Sequence, residues 1–294
     1  NSLRRRGLTS YGLATLLVFS LLGGSFAVPS KVSAAPVPPA VTVATTTTIS
    51  LGMNHSCAIE AEDLFAPGGT LRCWGSDASG QIGNGGGDSR SPVDQGGVFD
   101  WVTVSAGGRH TCAIRSSDQL ACWGRNTSGQ LGRNSVSTSE AVDFSYLTDD
   151  AWIAVAAGGE HTCAIQIDRT LWCWGRNANG QLGIGTTSQK KVPTQVGVAT
   201  NWAGVAAGAE HTCAVRFDGS LWCWGSGLNG RLGLGSTSGV RVPTRVGTDS
   251  NWASVSVGAA HTCAVRTTGS LWCWRAGANG RLGRGTTADA KLPA

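Results

Sequence analysis

Histidine and cysteine recur with a spacing that suggests chemistry. Five His stand at 55, 110, 161, 211 and 261, each two residues before a Cys. A second Cys follows ten residues after the first, or sixteen after it in the first copy. Three reactions use such residues. Zinc takes four ligands, and structural sites favour a close C-x-x-C pair; one His and two Cys per copy fall short of that. Acid–base catalysis needs a His with a unique partner set, whereas five equivalent His read as scaffold residues held by a neighbouring turn. Thiols can pair or stay reduced and buried. We expect pairing, as Cys57–Cys73, Cys112–Cys122, Cys163–Cys173, Cys213–Cys223 and Cys263–Cys273. In Cys213–Cys223 a three-residue loop, Phe217-Asp218-Gly219, sets 216 opposite 220 and hence 213 opposite 223. Gly219 suits the left-handed position of that loop. The extra residues of the first copy, with APGG at 66–69, enter at the hairpin tip and leave the register alone.

The elements that carry these residues are short strands. HTCAI-type and LWCWG-type runs pair as a hairpin. Before them runs an opener such as WIAVAAGG, whose alternation puts Trp152, Ala154 and Ala156 on one face. After them come GQIG, GQLG or GRLG and a variable stretch. No helical period of useful length appears, and the 43 Gly in 294 residues favour turns over helices. One unit of about 50 residues cannot bury both faces, so neighbours must stack.

The G-x-x-H-[ST]-x-A-[IV] strand, the W-G strand and N-x-x-G-Q-L-G at this spacing resemble the regulator of chromosome condensation repeat family. The resemblance covers about residues 50–294. It implies an all-β fold, a β-propeller of four-stranded blades, typically seven to a ring. Five blades are visible, at about 49–100, 101–151, 152–201, 202–251 and 252–294. The five are read as part of a larger ring, with a five-bladed ring closed by a strand near 41–51 as the alternative.

Residues 1–35 read as a secretory signal peptide. Arg4, Arg5 and Arg6 precede an apolar run from Tyr11 to Val28, and VSAA at 32–35 offers small residues for cleavage. Residues 36–48 read as a Pro/Thr-rich linker. Removing the signal lowers the net charge from +5 to +1, which removes the argument for nucleic acid. What remains is uneven, from −5 over 36–100 to +4 over 252–294. No membrane span is expected after cleavage, and the location is read as secreted or cell envelope.

No P-loop, paired-carboxylate motif or unique Ser-His-Asp set emerges, so no catalytic, metal or cofactor site is assigned. The expected function is a scaffold that binds another protein through loops on one face. The residue before each His varies, as Asn54, Arg109, Glu160, Glu210 and Ala260. Of these, Arg109, Glu160 and Glu210 are the candidate contacts. Two alternatives stay open: an accessory domain of a larger exported enzyme, and a carbohydrate-binding propeller using Trp172, Trp222 and Trp272.

Overall fold

The computed structural model describes residues 48–60, 68–95, 100–137, 150–275, 282–283, 285 and 289–294. The expected signal peptide and nearly all of the linker lie outside these residues. The fold is a β-propeller of five blades in chain order. Three sheets show four antiparallel strands and two show three among the described residues.

The first blade is β1 (Thr48–Leu51), β2 (His55–Glu60), β3 (Thr70–Gly75) and β4 (Ser89–Asp94). The second shows β5 (Trp101–Ala106), β6 (His110–Arg115) and β7 (Leu120–Gly124). The third is β8 (Trp152–Ala157), β9 (His161–Gln166), β10 (Leu171–Gly175) and β11 (Lys190–Gln195). The fourth is β12 (Trp202–Ala207), β13 (His211–Arg216), β14 (Leu221–Gly225) and β15 (Val240–Arg245). The fifth shows β16 (Trp252–Val257), β17 (Thr262–Arg266) and β18 (Leu271–Trp274). In the first, third and fourth blades the variable stretch thus supplies the fourth strand. Each such edge carries a proline (Pro92, Pro193 or Pro243) and at least one cation, Arg90 in the first, Lys190 and Lys191 in the second and Arg241 and Arg245 in the third. Pro and Lys on an edge strand discourage pairing with another chain.

Opener strands line a central channel, with residues of β1, β5, β8, β12 and β16 around it. Their alternation differs from the sequence expectation. Every opener that begins with Trp carries a bulge, in the third blade between Trp152 and Ala154. The extra residue turns the strand, so Val155, not Ala154, packs with Trp152 against the second blade. Ile153 and Ala154 pack toward the fourth. A bulge inverts the side-chain phase beyond it.

Four hydrophobic clusters correspond to the four interfaces between successive blades. At the second-to-third interface, Cys112, Ile114, Leu120, Cys122 and Leu131 meet Trp152, Ala164 and Trp174. The same residue types meet at the third-to-fourth interface. Within a blade the two Trp are tilted, with centroids 6.0 Å apart for Trp152 and Trp174. Trp of the W-G strand is buried in blades two to five, as the sequence suggested. The five expected Cys pairs face one another in register and are joined as disulfides. Their Cα–Cα distance of 4.1 Å is that of the closer kind of antiparallel pair. Gly219 adopts φ +73°, and the first-copy insertion leaves Cys57 opposite Cys73.

Candidate functional site

Each strand pair ends at two sets of loops. At one end are hairpin tips such as Asp168 and Asp218. At the other, the loop between opener and second strand approaches the channel mouth. Gly52, Gly107, Gly158, Gly208 and Gly258 converge there with Met53, Gly108, Gly159, Ala209 and Ala259. Backbone joins blade to blade at this mouth: Gly108 N–H donates to Gly158 O at 2.9 Å, and Gly159 N–H to Gly208 O at 2.9 Å. A Cβ on Gly158 would stand 2.6 Å from Gly208 O, so only Gly permits this approach.

The repeated His is the key to how these loops are held. His161 Nε2 lies 2.9 Å from Thr212 Oγ1 of the next blade. Thr212 donates its hydroxyl proton to Gln181 O at 2.8 Å. That proton being used, the imidazole Nε2–H must donate to the hydroxyl oxygen. The Gln181 carbonyl also accepts from Trp224 Nε1 at 2.9 Å. His, Thr, Gln and Trp therefore form one staple across the interface. It recurs from His55 to Thr111, His110 to Thr162 and His211 to Thr262, with the carbonyl of Arg231 in place of Gln in the last. The partner of the imidazole is a strand hydroxyl of the following blade, not the neighbouring turn expected from sequence.

Burial pushes these imidazoles well below their usual range, to about 4 for His55, about 3 for His110 and about 4 for His161. They are neutral at pH 7, as the staple requires. Nδ1 of His55, His110, His161 and His211 is buried without a hydrogen-bond partner. The N-x-x-G-Q-L-G motif sets the carbonyl of the staple: Asn177 Oδ1 accepts from Leu182 N–H at 3.0 Å, and Gln181 Oε1 from Asn179 N–H at 2.9 Å.

Just outside this ring of staples lie the residues singled out before each His. Arg109, Glu160 and Glu210 come together in one cavity of about 270 Å³ with Met53, Arg125 and Arg176. Arg125 and Arg176 escaped the sequence reading. They follow the W-G pair, where Ser76 and Ser226 stand in other blades, and bond back to the variable residue: Arg125 N–H to Arg109 O and Arg176 N–H to Glu160 O, each 2.8 Å. The signal was available, because this position varies among the repeats as the pre-His position does. Arg176 Nη1 pairs with Glu160 Oε2 at 2.9 Å, and Arg231 Nη1 approaches Glu210 Oε2 at 3.6 Å.

The other aromatic candidates are engaged within the fold. Trp222 and Trp272 are half-buried, with Nε1 bonded to Ser220 and Ser270. The guanidinium carbon of Arg216 lies 4.0 Å from the Trp222 ring, and that of Arg266 lies 4.4 Å from Trp272. Trp172 donates to Thr170. Among the described residues there is no His/Cys/Asp/Glu group placed to hold a metal, and no helix is long and apolar enough to cross a membrane.

Comparison with known proteins bears on this arrangement. The model of the RCC1-like domain matches residues 22–294. The ultraviolet-B receptor UVR8 of Arabidopsis thaliana is 29% identical over 153 residues, 50% of this chain and 33% of the receptor. The mitochondrial RCC1 domain-containing protein RUG3 of the same plant is 28% identical over 183 residues, 60% of this chain and 38% of that protein. The chain thus spans about a third of the length of these curated relatives. The crystal structure of Prp20p from Saccharomyces cerevisiae, described with its binding to Gsp1p and histones, superposes with TM-score 0.72. It is 21% identical, over 84% of this chain and 62% of that one. Human WBSCR16 superposes with TM-score 0.63 at 19% identity, over 85% and 81%.

Proposed function

We propose a protein-binding role for this chain, which belongs to the RCC1-like domain family. The loops around one mouth of the channel form the contact surface, and the pre-His and post-W-G residues supply its specificity. The observation that carries this reading is the gathering of Arg109, Glu160, Glu210, Arg125 and Arg176 in one cavity, on loops that neighbouring blades hold rigid. Rigid loops lose little entropy on binding. Prp20p, of like fold, is described with its binding properties to Gsp1p and histones in one structure and with Kap60 bound in another. We read the chain as a scaffold without chemistry of its own and as an exported protein, secreted or held at the cell surface. Support for export comes from the charged and apolar leader and the five disulfides. The carbohydrate reading loses support, since Arg216 and Arg266 already occupy the faces of Trp222 and Trp272.

A photoreactive amino acid placed at 109, 160 or 210 tests the surface, with positions 168 and 218 at the opposite strand ends as the comparison. Covalent protein adducts from the three rim positions, and none from the two hairpin positions, are expected in cells producing the chain. Adducts confined to the hairpin positions would overturn the reading.

A further inference from the structure

The charges of the rim do not cancel, and the excess is local. Among the described residues, the pre-His and post-W-G positions hold three guanidiniums (Arg109, Arg125, Arg176) and two carboxylates (Glu160, Glu210). Both carboxylates are already answered. Glu160 has Arg176, and Glu210 has Arg231, which rises from the G-R-L-G loop and is 4% exposed. What is left is one adjacent pair in the second blade. Arg109 is exposed, and its side chain has no ion pair or hydrogen bond among the described residues. Arg125 is half-buried and its Nε donates only to Thr127 Oγ1, at 2.9 Å. The backbone bond from Arg125 to Arg109 holds these two positions side by side on one blade.

We infer that the second blade's rim holds a carboxylate-bearing segment of the partner protein, an acidic loop or tail, between Arg109 and Arg125. The inference rests on the rim being the binding surface, and names what that surface takes. A guanidinium presents a planar fork of donors that matches a carboxylate with two parallel bonds. The shared cavity, about 270 Å³, is also lined by Gly108, Gly159 and Ala209, whose small or absent side chains leave room for a chain to approach the backbone. Exposed Met53 at its edge suits the aliphatic stem of a Glu.

Labelled hexaglutamate is titrated onto the whole chain at low salt, with labelled hexaglutamine and hexalysine as comparisons. Hexaglutamate alone should bind, and its affinity should fall at least tenfold in the Arg109→Gln/Arg125→Gln double variant and on raising the salt. Glu160→Gln should hold or tighten it. Equal binding by the double variant, or equal binding of hexaglutamine, would overturn the inference. Displacement of the peptide by an equal concentration of inorganic phosphate would do so as well, by assigning a small-anion site. The photochemical test separates the two readings. Rim adducts that persist in the double variant leave the surface standing without the acidic segment, and hexaglutamate binding without rim adducts removes the surface itself.

Discussion

The blade interface and the rim are built from neighbouring residues and follow opposite rules. His161 and Glu160 are adjacent in sequence. His161 repeats in every blade, is buried, and spends its proton on the next blade's Thr212. Glu160 becomes Asn54, Arg109, Glu210 or Ala260 elsewhere and faces the cavity. One residue step along an extended chain turns the side chain from interface to solvent. The lesson is that repetition marks what holds blades together, and variation between repeats marks what meets a partner.

Acid should break the interface hardest, because it acts on all the staples together. The folded pKa values of His55, His110 and His161 lie below the ordinary 6.5, at about 4, 3 and 4. Well above pH 6.5 neither folded nor unfolded imidazole carries a proton, and the stability is whole. As pH falls from 6.5 toward 4 the unfolded chain takes up protons that the fold refuses. Each imidazole then costs about 1.4 kcal/mol per pH unit. His110 also feels His55 and His161, and His211, lowered chiefly by burial, feels His161 and His261 besides Arg231, so protonating one imidazole further opposes the next. Denaturant midpoints at pH 7, 5.5 and 4.5 should fall steeply; a flat profile would contradict the neutral staple.

Removing one disulfide should cost somewhat less. Cys163→Ala with Cys173→Ala opens a short loop and should lower stability by about 3 kcal/mol, read by denaturation under non-reducing conditions. Thr212→Val keeps the shape but takes the acceptor from His161 and one donor from Gln181 O. A loss of about 2 kcal/mol is expected, with binding at the rim retained. At the small end, Arg109→Gln/Arg125→Gln should change stability by less than about 0.5 kcal/mol, by the same denaturation assay, while removing hexaglutamate binding. If Thr212→Val proved neutral and the rim pair destabilising, the division between the two regions would fail.

Much of the interface could be read from the chain. The cysteine register followed from loop length, because a hairpin fixes which residues face each other. The stacking of Trp, Cys and Leu followed from a unit with two apolar faces. The openers were less legible. Their bulges shift Val155 onto the face of Trp152, and nothing in W-I-A-V-A-A announces an unpaired residue. Half of the rim could be read too, from the variable residue before His. Arg125 and Arg176 were missed because their place beside that residue depends on strand pairing, not on proximity in sequence.

By itself the sequence determined the local geometry: period, hairpin register, cysteine partners and the places where repeats agree or differ. These depend on contacts within one blade, which chain connectivity enforces. Only the tertiary structure decided what crosses between blades. It made the imidazole a donor to a threonine 51 residues away, and it gathered three arginines and two glutamates from three blades into one cavity. Such contacts arise from the angle and distance at which blades stack, and those are set by the whole interface rather than by any one residue.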